Sequence, residues 1–207
     1  MIVVAHLDES CLGNGREGDN PGGTGGLIEI RTGKGIERRE FFQHAPATTN
    51  NRMALAGAIA LLQLLSAKGK RLRVLIVSDS EYLVRGVREW LPGWVGRGWK
   101  RKAGAIENLE LWQALHASLA RHATQLVWVR GHAGQVKNEF ANDLAVRAAK
   151  EQITSDGIAV ATFDTWLAAE RTKGRYQDYD PDATYAALES RVAAGETLPL
   201  ALEEKRR

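Results

Sequence analysis

Asp8 and Asp79 are the side chains whose positions most suggest chemistry. Each closes an apolar run, Ile2 to Leu7 in one case and Arg73 to Val77 in the other. A carboxylate just past a buried strand sits at the carboxyl edge of the sheet, where open α/β folds place their ligand sites. Taken singly, each could instead be a turn or cap residue, and Asp79, in Ser78-Asp79-Ser80, is a good N-cap for a following helix. Two such acids on neighbouring strands repel unless a cation lies between them. A site for Mg²⁺ is built that way, from hard carboxylate oxygens with substrate phosphate completing the shell. His132 lies in Gly131-His132-Ala133-Gly134, a loop that leaves it solvated with a pKa near neutrality; an ordinary surface histidine has the same appearance. Asn142 and Asp143 open the second turn of a late helix, and only one can face inward, because helix neighbours point about 100° apart.

A second constellation is basic and aromatic. Trp90, Trp94, Arg97, Trp99, Lys100, Arg101 and Lys102 crowd into one short segment. Cations interleaved with flat rings suit a phosphate backbone and its sugars. The alternative is a small aromatic core under a solvated rim, which is the reading adopted for Trp94. Trp90 and the run from Arg97 to Lys102 are read as a nucleic-acid surface, because Gly93, Gly96 and Gly98 favour an irregular protrusion over a packed element.

These residues need a frame. The chain has 207 residues, 44% of them hydrophobic and 26% charged, enough for one globular domain with an appendage. Apolar strand patterns cover residues 2–8, 24–31 and 36–44, and a helix opens at Thr48 or Thr49 and runs to Lys68. Leucines on nearly all sides predict that this helix is buried. A strand to Val77, helical stretches over 80–122, a strand from Gln125 to Val129 and a helix from Val136 follow. That order predicts a mixed sheet with helices on its faces. Residues 1–152 are read as the catalytic domain and 153–207 as a helical, partly docked extension that carries no chemistry. No run of about 18 apolar residues exists to cross a membrane. The N-terminus lacks a secretory pattern, and Cys11 is alone, so a cytoplasmic protein is expected. The net charge of +3 is weak evidence for any partner.

In order, these motifs resemble those of bacterial type-I ribonuclease H. The matching segments are Asp8 to Asn14, Thr48 to Met53, Ser78 to Tyr82, Trp90 to Lys102, Asn108 to Trp112, and Trp128 to Gly134 with Asn138-Glu139. The resemblance implies a ribonuclease-H-like α/β fold with a five-stranded mixed sheet. It implies a monomer that cuts the RNA strand of RNA–DNA hybrids with two divalent ions, Mg²⁺ or Mn²⁺. It gives Asp8, Asp79 and Asn142 as metal ligands, and His132 as an aid to product release or a proton shuttle. It gives Thr49 and Asn108 to a DNA phosphate, Cys11, Asn14, Asn50 and Asn51 to the minor groove, and Trp90, Trp99 and Lys100 to the DNA strand.

Four departures from the family pattern matter. The fourth family acid falls on Asn142, whose amide still offers one oxygen. The family's helix glutamate falls on Ala54, which ligates nothing, so a weakened or abolished activity is expected. The alternative is a module that binds hybrids without cutting them. Glu9 stands where the family usually has a small residue; it is a candidate substitute for the missing acid, but strand alternation is expected to turn it away from Asp8. The glycine-rich loop is also longer than the family's, with Gly15 to Asp19 as the apparent insertion.

Overall fold

Ile2–Cys11 forms β1, the strand on which the sheet is organised, because its β-branched and apolar run is buried on both faces. In the computed structural model, which describes residues 1–13, 20–67, 69–101, 104–131 and 133–202, it is joined by β2 (Gly22–Thr32), β3 (Gly35–Ala45), β4 (Arg73–Ser78), β5 (Ala123–Trp128) and β6 (Ala159–Val160). The sheet order is β5-β4-β1-β2-β3-β6. β1 pairs parallel with β4 and antiparallel with β2, so the sheet is mixed as predicted. The expected five strands become six. The added strand is two exposed residues of the extension, too short to show any alternation, pairing with Arg39 and Glu40.

The helices are α1 (Asn50–Ser66), α2 (Glu81–Arg85), α3 (Leu91–Gly96), α4 (Leu109–Leu119), α5 (Val136–Glu151), α6 (Phe163–Thr172) and α7 (Pro181–Ala193), with a π-helical turn at Gly86–Trp90 between α2 and α3. Thr49 caps α1, its hydroxyl accepting from the Arg52 N–H. One sheet face packs Val3, Ala5, Leu7, Val74 and Ile76 against Ala54, Leu55, Ala58 and Leu62 of α1, with α4 behind. The other face packs Val4, Leu75, Val77 and Val127 against Tyr185, Leu188 and Val192 of α7. Leu27 meets Phe140 and Leu144 of α5 and Phe163 of α6. The extension therefore covers much of one sheet face, more than the partial docking expected of it.

It also closes a buried ionic cluster. The Lys137 ammonium donates to Glu29 (2.6 Å) and to the Pro181 carbonyl (2.9 Å). Arg38 pairs with the same Glu29 (3.0 Å) and with Asp164 and Asp182 of the extension.

Candidate active site

Parallel pairing between β1 and β4 ends at Leu7 and Ser78, and that between β4 and β5 ends at Ser78 and Trp128. The next residues, Asp8 and Asp79, emerge side by side at this carboxyl edge. By alternation Asp8 follows Val4 and His6 on the face of α5 and α7, and Asp79 follows Leu75 and Val77 onto that same face. Glu9 follows Ala5 and Leu7 on the α1 face, where Ser80 donates a hydrogen bond to it. One carboxylate oxygen each from Asp8, Glu9 and Asp79 nevertheless converges, all three lying within 4.8 Å of one another.

This corrects the reading of Glu9. Alternation fixes the face of a side chain while its strand is flanked, but beyond Leu7 the β4 flank is gone, and a glutamate is long enough to reach over the end of the sheet. The signal was present in the sequence: an acid adjacent to Asp8, together with the missing acid at position 54.

The cluster is electrostatically strained without a cation. Burial, the Asp79 carboxylate and then Glu9 push the Asp8 carboxyl up to about 9, although its Oδ1 accepts the Glu9 N–H at 2.7 Å. Burial and then Asp79 push Glu9 up to about 8. Three carboxylates with hard oxygen donors, only 6% of Asp8 being exposed, fit a divalent cation.

The neighbouring elements are drawn in by small residues. Gly25 pairs with Asp8, and a Cβ on it would come within 2.4 Å of the Ala141 carbonyl; only glycine lets α5 approach so closely. Asn142, half-buried, is the next residue on α5. Asn138, four residues earlier, donates to the Leu7 carbonyl (3.1 Å) and reaches Asp79 Oδ1 (3.5 Å). A Cβ on Gly131 would meet Asp79 Oδ2 at 2.3 Å, so the loop leading to His132 passes directly beside that carboxylate. His132, Asn14 and Lys102 lie outside the described residues.

The expected substrate residues fall in two groups. Cys11 Sγ donates to the Thr48 carbonyl at 3.3 Å, tying the end of β1 to the start of α1. Asn50 there has a buried Oδ1 without a partner among the described residues, and Asn51 is half-buried. Thr49 and Asn108 are linked through Arg52, whose N–H caps on Thr49 and whose guanidinium donates to Asn108 Oδ1 at 3.0 Å. Asn108 takes a left-handed conformation (φ 55°), which asparagine tolerates best after glycine. Trp90 meets Tyr82 edge-on and Trp94 at a tilt along an open cleft that Arg97 and Arg101 also line. Trp94 packs on buried Trp112, as its core reading requires. Trp99 turns back onto His116 instead, and Lys100 is exposed.

The family model for RNase H matches residues 2–150. The chain belongs to the ribonuclease H family. The ribonuclease H of Aromatoleum aromaticum is 41% identical over 77% of the chain and 97% of its own length. Ribonuclease HI of Pseudomonas aeruginosa is 44% identical over 72% of the chain and 94% of its own. The crystal structure of LC9-RNase H1, described as a type 1 RNase H with the type 2 active-site motif, superposes with a TM-score of 0.78 at 40% identity. It covers 100% of this chain and 97% of that one, so the likeness includes the extension. The ribonuclease H reaction, endonucleolytic cleavage of RNA in RNA–DNA hybrids, is this chain's function, and the family works with divalent ions. No helix among the described residues is long and apolar enough to cross a membrane.

Proposed function

We propose that the chain as it stands is an active ribonuclease H, with Asp8, Glu9, Asp79 and Asn142 as its metal ligands and Mg²⁺ as the natural ion. Mn²⁺ suits the same oxygen donors. The convergence of Glu9 on Asp8 and Asp79 carries this reading, since it supplies the third carboxylate that Ala54 cannot. LC9-RNase H1 supports it, being a type 1 body that is described as carrying another type's active-site motif. The alternative, a module that binds hybrids without cutting them, draws on Ala54 and Asn142; the third carboxylate at Glu9 favours cleavage over it.

When bound, divalent ions polarise the scissile phosphodiester and activate a water. The chain's own residues do the rest. Asp8 and Glu9 give up their elevated protonation and join Asp79 in holding cations, and Asn138 orients Asp79. Thr49, Asn108 and Arg52 hold a phosphate of the DNA strand. Cys11, Asn14, Asn50 and Asn51 contact the minor groove, whose width and 2′-hydroxyls mark the RNA strand. Trp90, Trp99 and Lys100 grip the DNA strand beyond it, and His132 assists product release. The enzyme is a cytoplasmic monomer in this reading.

The test is cleavage of labelled RNA–DNA hybrid and DNA duplex by the unaltered chain. Hybrid cut in Mg²⁺, with duplex DNA left intact, is the expected result. Intact hybrid in both Mg²⁺ and Mn²⁺ overturns the proposal.

A further inference from the structure

The first turns of α5 carry two ladders. Asn138 and Asn142 are four residues apart and share one face, as do Glu139 and Asp143, one residue or about 100° further round. The amide ladder looks toward the site, where Asn138 is buried and bonded to Leu7 and Asp79. The acid ladder looks toward the extension. Trp166 Nε1 donates to Asp143 Oδ2 at 2.8 Å. Arg175 and the Tyr176 hydroxyl both donate to Glu139.

The gripping residues are themselves fixed. The Trp166 ring is stacked against Phe163 on one contact and Tyr176 on another, and meets Phe140 of α5 edge-on. Tyr176 holds φ at 54°, a left-handed conformation that is unfavourable for a non-glycine residue. Such a conformation persists where surrounding contacts over-determine it. Its carbonyl accepts from Arg171 Nε and from the Tyr179 N–H.

We propose that the extension is a positioning clamp on α5: by holding Asp143 and Glu139, Trp166 and the Arg175–Tyr176 pair set the helix rotation that aims Asn138 and Asn142 at the carboxylates of β1 and β4. This rests on the active-site assignment above. Trp166 touches neither substrate nor ion in it and acts only through Asp143.

The decisive variant is Trp166→Phe, which keeps the stacked ring and deletes one N–H. Expected are a five- to tenfold fall in kcat for hybrid cleavage, an unchanged KM, a several-fold weaker Mn²⁺ affinity by calorimetry on the free protein, and a nearly unchanged melting temperature. Asp143→Ala reproduces this, Asp143→Asn retains an acceptor and behaves as the parent, and Trp166→Phe with Asp143→Ala together is no worse than either alone. A parent that cuts hybrid and binds Mn²⁺, alongside a Trp166→Phe variant that matches it in both, overturns the clamp only. Additive effects of the two substitutions overturn it as well. A parent that neither cuts hybrid nor binds Mn²⁺ overturns the site assignment and the clamp with it.

Discussion

Glu9 and Ala54 face the same side of the sheet: Glu9 continues the row of Ala5 and Leu7, and that row packs on the α1 surface where Ala54 is buried at 3% exposure. The acid that position 54 lacks and the acid at position 9 thus belong to elements packed on one face of the sheet. Glu9→Gln removes a metal ligand with little change of shape. Outer partners of metal sites are worth about 10–100-fold, so a direct ligand should cost at least about 100-fold in Mg²⁺-dependent kcat. Glu9→Ala combined with Ala54→Glu moves the acid to the helix and should recover much of that loss. Initial rates on a hybrid substrate decide it, and a Glu9→Gln enzyme as fast as its parent would refute the relocation.

Function and stability oppose each other in the acid cluster. With no cation bound, Asp8, Glu9 and Asp79 repel in a buried setting. Asp8→Asn keeps an oxygen to accept the Glu9 N–H and removes one charge. It should abolish cleavage while raising the melting temperature of metal-free protein at pH 8 by about 2–4 °C, the shift that goes with about 1 kcal/mol in a chain of this size. Scanning calorimetry in chelator reads it. A melting temperature that falls would show that the carboxylates do not strain the fold.

The same strain sets a pH dependence. Folding raises the Asp8 and Glu9 pKa values to about 9 and about 8, above those of the unfolded chain. Between about pH 4 and 9 the folded protein therefore binds more protons than the unfolded one, and stability falls as pH rises. Metal-free protein should melt lower at pH 8.5 than at pH 6, and a saturating divalent ion should narrow that gap. Ion binding near pH 7 should release protons, since it needs the ionised carboxylates. Calorimetric titrations in buffers of differing ionisation enthalpy measure the release. Binding that releases no proton would mean these groups are already ionised.

Much of this was legible in residue order. Asp8 and Asp79 followed from one rule about acids past buried strands, and Thr49 announced α1 through its capping chemistry. Alternation put Glu9 on the α1 face, where it is, but missed that beyond the end of the β4 pairing its carboxylate reaches over to Asp8 and Asp79. β6 went unseen because Ala159 and Val160 are exposed and have no periodicity. A helical extension was foreseen, but what the buried side chains of Pro181–Ala193 cover is a tertiary fact. Tyr185 and Val192 could equally have packed on each other in a separate unit. Nothing local says that they complete the core of β1, β4 and β5.

That tertiary fact yields a last prediction. Tyr185, Leu188, Val192 and Leu198 are buried against Val4, Leu75, Val77 and Val127. At about 1.5–3 kcal/mol for each buried side chain, they contribute on the order of 6–12 kcal/mol, an upper bound because unfolded chains already bury some surface. That rivals the whole stability of a typical domain, about 5–15 kcal/mol. The extension is therefore proposed to belong to the catalytic fold and not to a separable domain. A chain ended after Gln152 would also leave Arg38 and Lys137 without Asp164, Asp182 and the Pro181 carbonyl. It should lose its cooperative thermal transition and aggregate. Within the full chain, Tyr185→Phe should cost about 1 kcal/mol, because the Tyr185 hydroxyl accepts the Arg31 N–H at 3.0 Å and donates to Glu189. Tyr185→Ala should cost about 3–5 kcal/mol through the cavity it opens. Circular dichroism melts of the three proteins test the series, and a fragment of residues 1–152 that melts cooperatively and cuts hybrid like the parent would refute it.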